Sequence, residues 1–219
     1  MQKDIDIRTG EPTLIDFDMQ RISQRINIIL NIRTEGDIKK EDLLPPIIEL
    51  SGACGHFNIS EACLDTTRLY RMVHQAQPDE FTQTGENTYR CVVHFHTLGV
   101  IPSAAKGHLN GPGILQVALQ VSANRLDASG APVLDQDGKP VKNSRYIYGA
   151  INPYDELTAA QLIEVRDGKT YLRYSKDDVN IEITSPLVIK ADQIVSDDTG
   201  MGWQPNDPTN PDDDIIIEI

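Results

Sequence analysis

Ile114-Leu-Gln-Val-Ala-Leu-Gln-Val-Ser122 is the stretch that decides the fold class. Leu115, Val117, Leu119 and Val121 alternate with polar or small residues at a period of two, so an extended strand here has one apolar face and one wet face. Gly111-Pro112-Gly113 leads into it as a turn signal. The same period runs through Tyr89-Arg-Cys-Val-Val-His-Phe-His96, where Tyr89, Cys91, Val93 and Phe95 share one face and Arg90, His94 and His96 the other. Downstream, Asp127-Ala-Ser-Gly130 and Asp135-Gln-Asp-Gly138-Lys-Pro140 are two turn signals a few residues apart, fitting a protruding hairpin or long loop before Tyr146-Ile-Tyr148. A further hairpin is expected from Leu162 to Tyr174 about Asp167-Gly168, then short strands at Val179–Ile183 and Leu187–Ile189 separated by Thr184-Ser-Pro186.

So many short strands predict a mainly β chain with an antiparallel β-sandwich core, or repetitive β-structure shared between chains. The expected organisation is an N-terminal arm and helix over 1–46 and a sandwich core over 47–160. A hairpin with short stacked strands over 161–191 and an acidic extended tail over 192–219 complete it. Residues 1 to 14 read as an extended arm with Ile5 and Ile7 on one face. Beyond Asp16 and Asp18, either of which can cap a helix, Met19, Ile22, Ile26, Ile29 and Leu30 recur at three- and four-residue steps. That spacing predicts one amphipathic N-terminal helix over 18–31, although the Ile26–Ile32 run also suits a strand. After Lys190 the tail has eight acidic residues and no basic one, and it ends near the apolar hook Ile215, Ile216, Ile217.

The 219 residues suffice for a hydrophobic core. Thirty-three acidic against twenty basic residues give a net charge of −13, which repels nucleic-acid phosphates and anionic membrane surfaces. Neither nucleic acid nor membrane is an expected partner. No apolar run approaches the roughly 20 residues of a membrane span, and the N-terminus lacks the apolar stretch of a signal peptide, so synthesis and retention in a cytoplasm are expected. Cys54, Cys63 and Cys91 form no Cys-x-x-Cys pair and read as reduced, partly buried thiols.

Chemical motifs are few. His94 and His96 point the same way from one strand and can in principle chelate a divalent ion, but spacing supplies no third ligand, and a solvated strand face is the preferred reading. Asp135-x-Asp137-Gly138 opens like a calcium loop, yet Lys139, Pro140 and Lys142 follow where carboxylates are needed, so a turn is preferred. Gly107-His-Leu-Asn-Gly111-Pro-Gly113 precedes a strand where phosphate loops open a helix, which leaves a flexible loop. Cys54 and His56 lie at alternate positions of one segment, a poor arrangement for a nucleophile and its base. No catalytic residue, metal ligand or cofactor is therefore assigned, and the chain is expected not to be an enzyme.

Three stretches carry a family likeness. Asn87-Thr-Tyr-Arg-Cys-Val-Val followed by Gly111-Pro-Gly-Ile-Leu-Gln-Val-Ala-Leu-Gln-Val resembles the paired strands of small sandwich domains that anchor phage fibres. Leu126 to Val141 is similar to the Asp-Gly-Pro loops of phage appendages, and Val179 to Asp192 to the stacked strands of trimeric spikes and shafts. Together they resemble virion structural proteins of tailed bacteriophages, of the fibre, baseplate or head-fibre anchoring type. The resemblance implies a homo-oligomer, often a trimer, within the virion, whose termini dock on neighbouring capsid or tail proteins. Ile5, Ile7, Ile22, Ile26, Ile215, Ile216 and Ile217 are the expected docking residues. Two rivals remain: a carbohydrate-binding or adhesin-like module with Tyr146 and Tyr148 as its platform, Trp203 being the only tryptophan, and a metal-dependent enzyme built on His94 and His96.

Overall fold

A computed structural model describes residues 22–173 and 178–191. The chain is mainly β and holds two sheets. In order come β1 (Gln24–Glu35), a 3-10 turn (Lys40–Asp42), β2 (Ile47–Asn58), β3 (Cys63–Gln75), β4 (Phe81–Gly85), β5 (Thr88–Thr97) and β6 (Leu115–Asn124). Then follow β7 (Lys142–Ile151), the helix α1 (Tyr154–Ala160), β8 (Ile163–Arg166), β9 (Lys169–Leu172) and β10 (Val179–Lys190). One sheet has the order β10-β1-β5-β4, the other β7-β6-β2-β3-β9-β8. Ile26, Ile28, Leu30 and Ile32 of the first sheet and Ile48, Leu50, Leu115, Val117 and Leu119 of the second join one buried cluster with Phe81 and Tyr89.

The helix expected over 18–31 is corrected. Residues 24–31 belong to β1, and 18–21 lie outside the described residues, as do the N-terminal arm and the acidic tail. The competing period of two wins because partners exist on both edges: β5 pairs antiparallel with β1 and β10 pairs parallel with it. Ile26, Ile28, Leu30 and Ile32 are then all at most 1 % exposed, whereas a helix facing inward with Ile22, Ile26 and Ile29 would turn Ile28 to water. The β-branched residues of the run favour the same outcome.

The four-stranded sheet is mixed, not antiparallel throughout, because β1 and β10 run parallel. Between them the chain passes through the whole second sheet and α1, the long crossover that a parallel pair requires. β10 is also one strand, not two: Pro186, which has no N–H to donate, is accommodated on an edge strand beside a register shift opposite Leu30–Ile32. The segments expected as separate units share sheets, since β1, β5 and β10 are hydrogen-bonded side by side. At the expected hairpin, Asp167 (φ 50°) and Gly168 (φ 74°) turn β8 into β9. The helix α1, not anticipated from the sequence, starts after Pro153 with Asp155 and Glu156 in its first turn and buries Leu157 in the core.

The parallel register has a geometric consequence. Ile26 lies opposite Val179 and Glu35 opposite Lys190, so the described chain begins at one end of β1 and leaves β10 at the other. Over the length of β1 that separation is about 36 Å at 3.3 Å per residue.

Urea denaturation distinguishes strand from helix at β1. Ile28→Ala is expected to cost about 2–4 kcal/mol, as for a core isoleucine, and Ile22→Ala, whose side chain is half exposed, less than about 0.5 kcal/mol.

Candidate functional site

His94 and His96 project from β5 on the face opposite Tyr89, Cys91, Val93 and Phe95, which are buried as the sequence predicts. Their ring centroids lie 6.4 Å apart. His94 turns to a carboxylate: its Nδ1 is 3.5 Å from Glu80 Oε1, while the other oxygen of Glu80 lies 2.8 Å from His74 Nε2 on β3. The same oxygen accepts the backbone N–H of Gln77 at 2.8 Å. Glu80 thereby ties a strand of the six-stranded sheet to one of the four-stranded sheet. Burial works against its charge, but the Gln77 N–H and the two imidazoles outweigh it and hold the carboxyl below its ordinary range. Among the described residues no group of three or more His, Cys, Asp or Glu side chains stands where it could hold a metal ion. His56 is paired instead with the Tyr70 hydroxyl.

All three cysteines are free and buried. Burial, then the charge of Asp65, pushes the Cys54 thiol up to about 11, and burial first of all pushes Cys91 up to about 12. Cys63 is raised by burial and by Glu61. At neutral pH these are thiols and poor nucleophiles. Cys54 contributes to an apolar cavity of about 310 Å³ reached from both sheets, with Tyr70, Met72, His96 and Thr97 around it.

The glycine-rich segment before β6 is tied down at its C-terminal end, where the sequence suggested a flexible loop. Ser51 Oγ donates to Gly111 O at 2.9 Å and accepts from Ile114 N at 3.0 Å. A Cβ on Gly52 would meet Gly113 N at 2.6 Å, so the two backbones approach as only glycine allows. It is a packing device, with no helix behind it to receive an anion.

The Asp-rich connection between β6 and β7 contains a feature that sequence reasoning missed. Leu126-Asp-Ala-Ser-Gly-Ala-Pro-Val133 and Leu134-Asp-Gln-Asp-Gly-Lys-Pro-Val141 are tandem eight-residue copies of one loop. In each, the aspartate folds back on its own backbone: Asp127 Oδ1 accepts N–H groups of Ser129 and Ala131 at 2.8 and 3.0 Å, and Asp135 Oδ1 those of Asp137 and Lys139 at 2.9 and 2.8 Å. Arg125 N donates to Val141 O, Val133 N to Arg125 O and Val141 N to Val133 O, closing three extended stretches in a ring. The repeated Leu-Asp, Gly and Pro-Val at a spacing of eight was the available signal. Asp135 is thus committed to capping its own turn, and Asp135-x-Asp137-Gly138 forms a turn.

Tyr146 and Tyr148 lie on β7, an edge strand, and face solvent with 52 and 39 % exposure. Their rings are nearly parallel, 29° apart in plane and 6.0 Å between centroids. Of the expected docking residues, Ile22 is half exposed at the foot of β1, whereas Ile26 is wholly buried in the chain's own core and so has no surface to offer a partner. Ile5, Ile7, Ile215, Ile216 and Ile217 lie outside the described residues.

Fold and site together define a mainly β, two-sheeted protein whose ionisable clusters are bound up in internal contacts. The chain matches no protein-family model, no curated protein and no solved structure. Among the described residues no helix is long and apolar enough to cross a membrane.

Two measurements check this site. Glu80→Gln is expected to lower stability by about 1 kcal/mol at neutral pH. Because the folded carboxyl titrates below its ordinary 4.5, that contribution is complete above about pH 4.5 and fades as pH falls through the folded value, so wild-type and variant urea midpoints should converge in acid. Thiol titration with a disulfide reagent at pH 7.5 should find Cys54, Cys63 and Cys91 slow in the native protein and all three reactive at once in denaturant.

Proposed function

We propose that this chain is a non-enzymatic structural or adaptor component of a tailed-bacteriophage virion, of the tail-fibre, baseplate or head-fibre anchoring type. In this reading its two sheets form a β-sandwich, and it assembles as a homo-oligomer docked on neighbouring capsid or tail proteins. The observation that carries the reading is the parallel pairing of β1 with β10. It places residues 22 and 191, from which the two terminal segments continue, toward opposite ends of the four-stranded sheet. Chain exits at opposite ends of one sheet suit a protein held between neighbours on two sides. The acidic, proline-containing composition after Lys190 supports the same role, because such a segment lacks the apolar surface to build a core of its own. The likeness of three strand and loop segments to phage appendages supplies the virion part of the proposal.

Deletion of residues 192–219 should leave the urea midpoint of the core within experimental error and reduce incorporation into particles at least tenfold in a complementation assay. Unchanged incorporation, or a strict monomer by light scattering at millimolar concentration, would sink the proposal.

A further inference from the structure

We infer that the outer face of the six-stranded sheet, around Tyr146 and Tyr148, binds a neutral oligosaccharide. The inference is independent of the virion assignment. Residues paired across antiparallel strands share a face, so the register places Tyr146 beside Gln120, Tyr148 beside Ala118, Ala150 beside Gln116 and Ser144 beside Ser122. Leu44, whose N–H donates to Gln120 O, lies in the row of Tyr146, and Ile47 in that of Tyr148. The core does not use the two tyrosines: Ile147 between them packs on it, and they are left more than a third exposed.

The chemistry of the face selects the ligand. Aromatic rings offer flat apolar surface to the C–H side of a pyranose, and the hydroxyl of each tyrosine remains available at the edge. Ala118, the cross-strand partner of Tyr148, is a small side chain. Gln116 and Gln120 each provide a carboxamide that both donates and accepts, the complement of a sugar hydroxyl. Of the charged groups around the face, Lys142 is held by Asp42, and Glu49 lies 3.3 Å from Arg71. With Lys142 and Arg71 so paired and a net charge of −13, an anionic glycan has little to attract it. A purely apolar protein partner would strand Gln116 and Gln120 without hydrogen bonds.

The test uses the full chain on a printed glycan array, followed by calorimetry with the best neutral oligosaccharide from it. Binding is expected to weaken about tenfold or more in Tyr146→Ala and in Tyr148→Ala, and to survive within about threefold in Tyr148→Phe, which keeps the ring. Val165→Ala, an exposed apolar residue of β8, should bind as wild type, and circular dichroism should be unchanged in all four. Absence of binding to every neutral glycan overturns the proposal, as does binding that both alanine variants retain. Dissociation of an oligomer by Tyr148→Ala without any glycan binding assigns the face to a second copy of the chain and equally overturns it. None of these failures touches the deletion result on assembly.

Discussion

The fold depends on β1 being hydrogen-bonded along both edges. Antiparallel to β5 and parallel to β10, it is the strand through which β5 and the last described segment meet. Its inward residues Ile26, Ile28, Leu30 and Ile32 are almost fully buried, and each contributes about 1.5–3 kcal/mol of transfer free energy. A strand so placed cannot slip by one residue without exposing that set to water, so it holds the registers of both neighbours. The same pairing sets residues 22 and 191 at opposite ends of the sheet.

A few polar contacts stiffen the frame at points where apolar packing gives no direction. Asp42, 6 % exposed, accepts the Lys39 N–H at 3.0 Å and pairs with Lys142 of β7, fastening the 3-10 turn to the far strand of the other sheet. Glu80 performs a comparable task between β3 and β5. In both, a carboxylate with several donors around it is worth more in placing elements than in net stability, because its desolvation offsets much of the attraction. The side chains that looked most chemical in isolation, histidines and aspartates, are thus occupied in holding the structure.

What remains for function lies on the outside. Edge strand β7 carries its tyrosines outward on a face of amides and hydroxyls, and the tandem loops after β6 project two copies of one tight turn. The buried thiols are held protonated by their surroundings, and Asp127 and Asp135 are capped within their own turns.

The amino-acid order by itself determined the faces of β5 and β6, because a period of two records which side of a strand is dry wherever that strand is half buried. It also determined the turn at Asp167-Gly168, where backbone chirality demands residues tolerant of positive φ. The eight-residue repeat and the start of α1 were written there too, in Leu-Asp…Pro-Val spacing and in Pro153 followed by acidic residues. Only the tertiary structure decided that β1 is a strand, since Ile22 to Ile32 satisfies both periods and the partners that break the tie lie some 60 and 150 residues away. It alone decided that His74, Glu80 and His94 meet, and that Tyr146 and Tyr148 face water beside Gln120 and Ala118. Such neighbours are made by sheet register and by contact between the two sheets, long-range properties that local spacing does not encode.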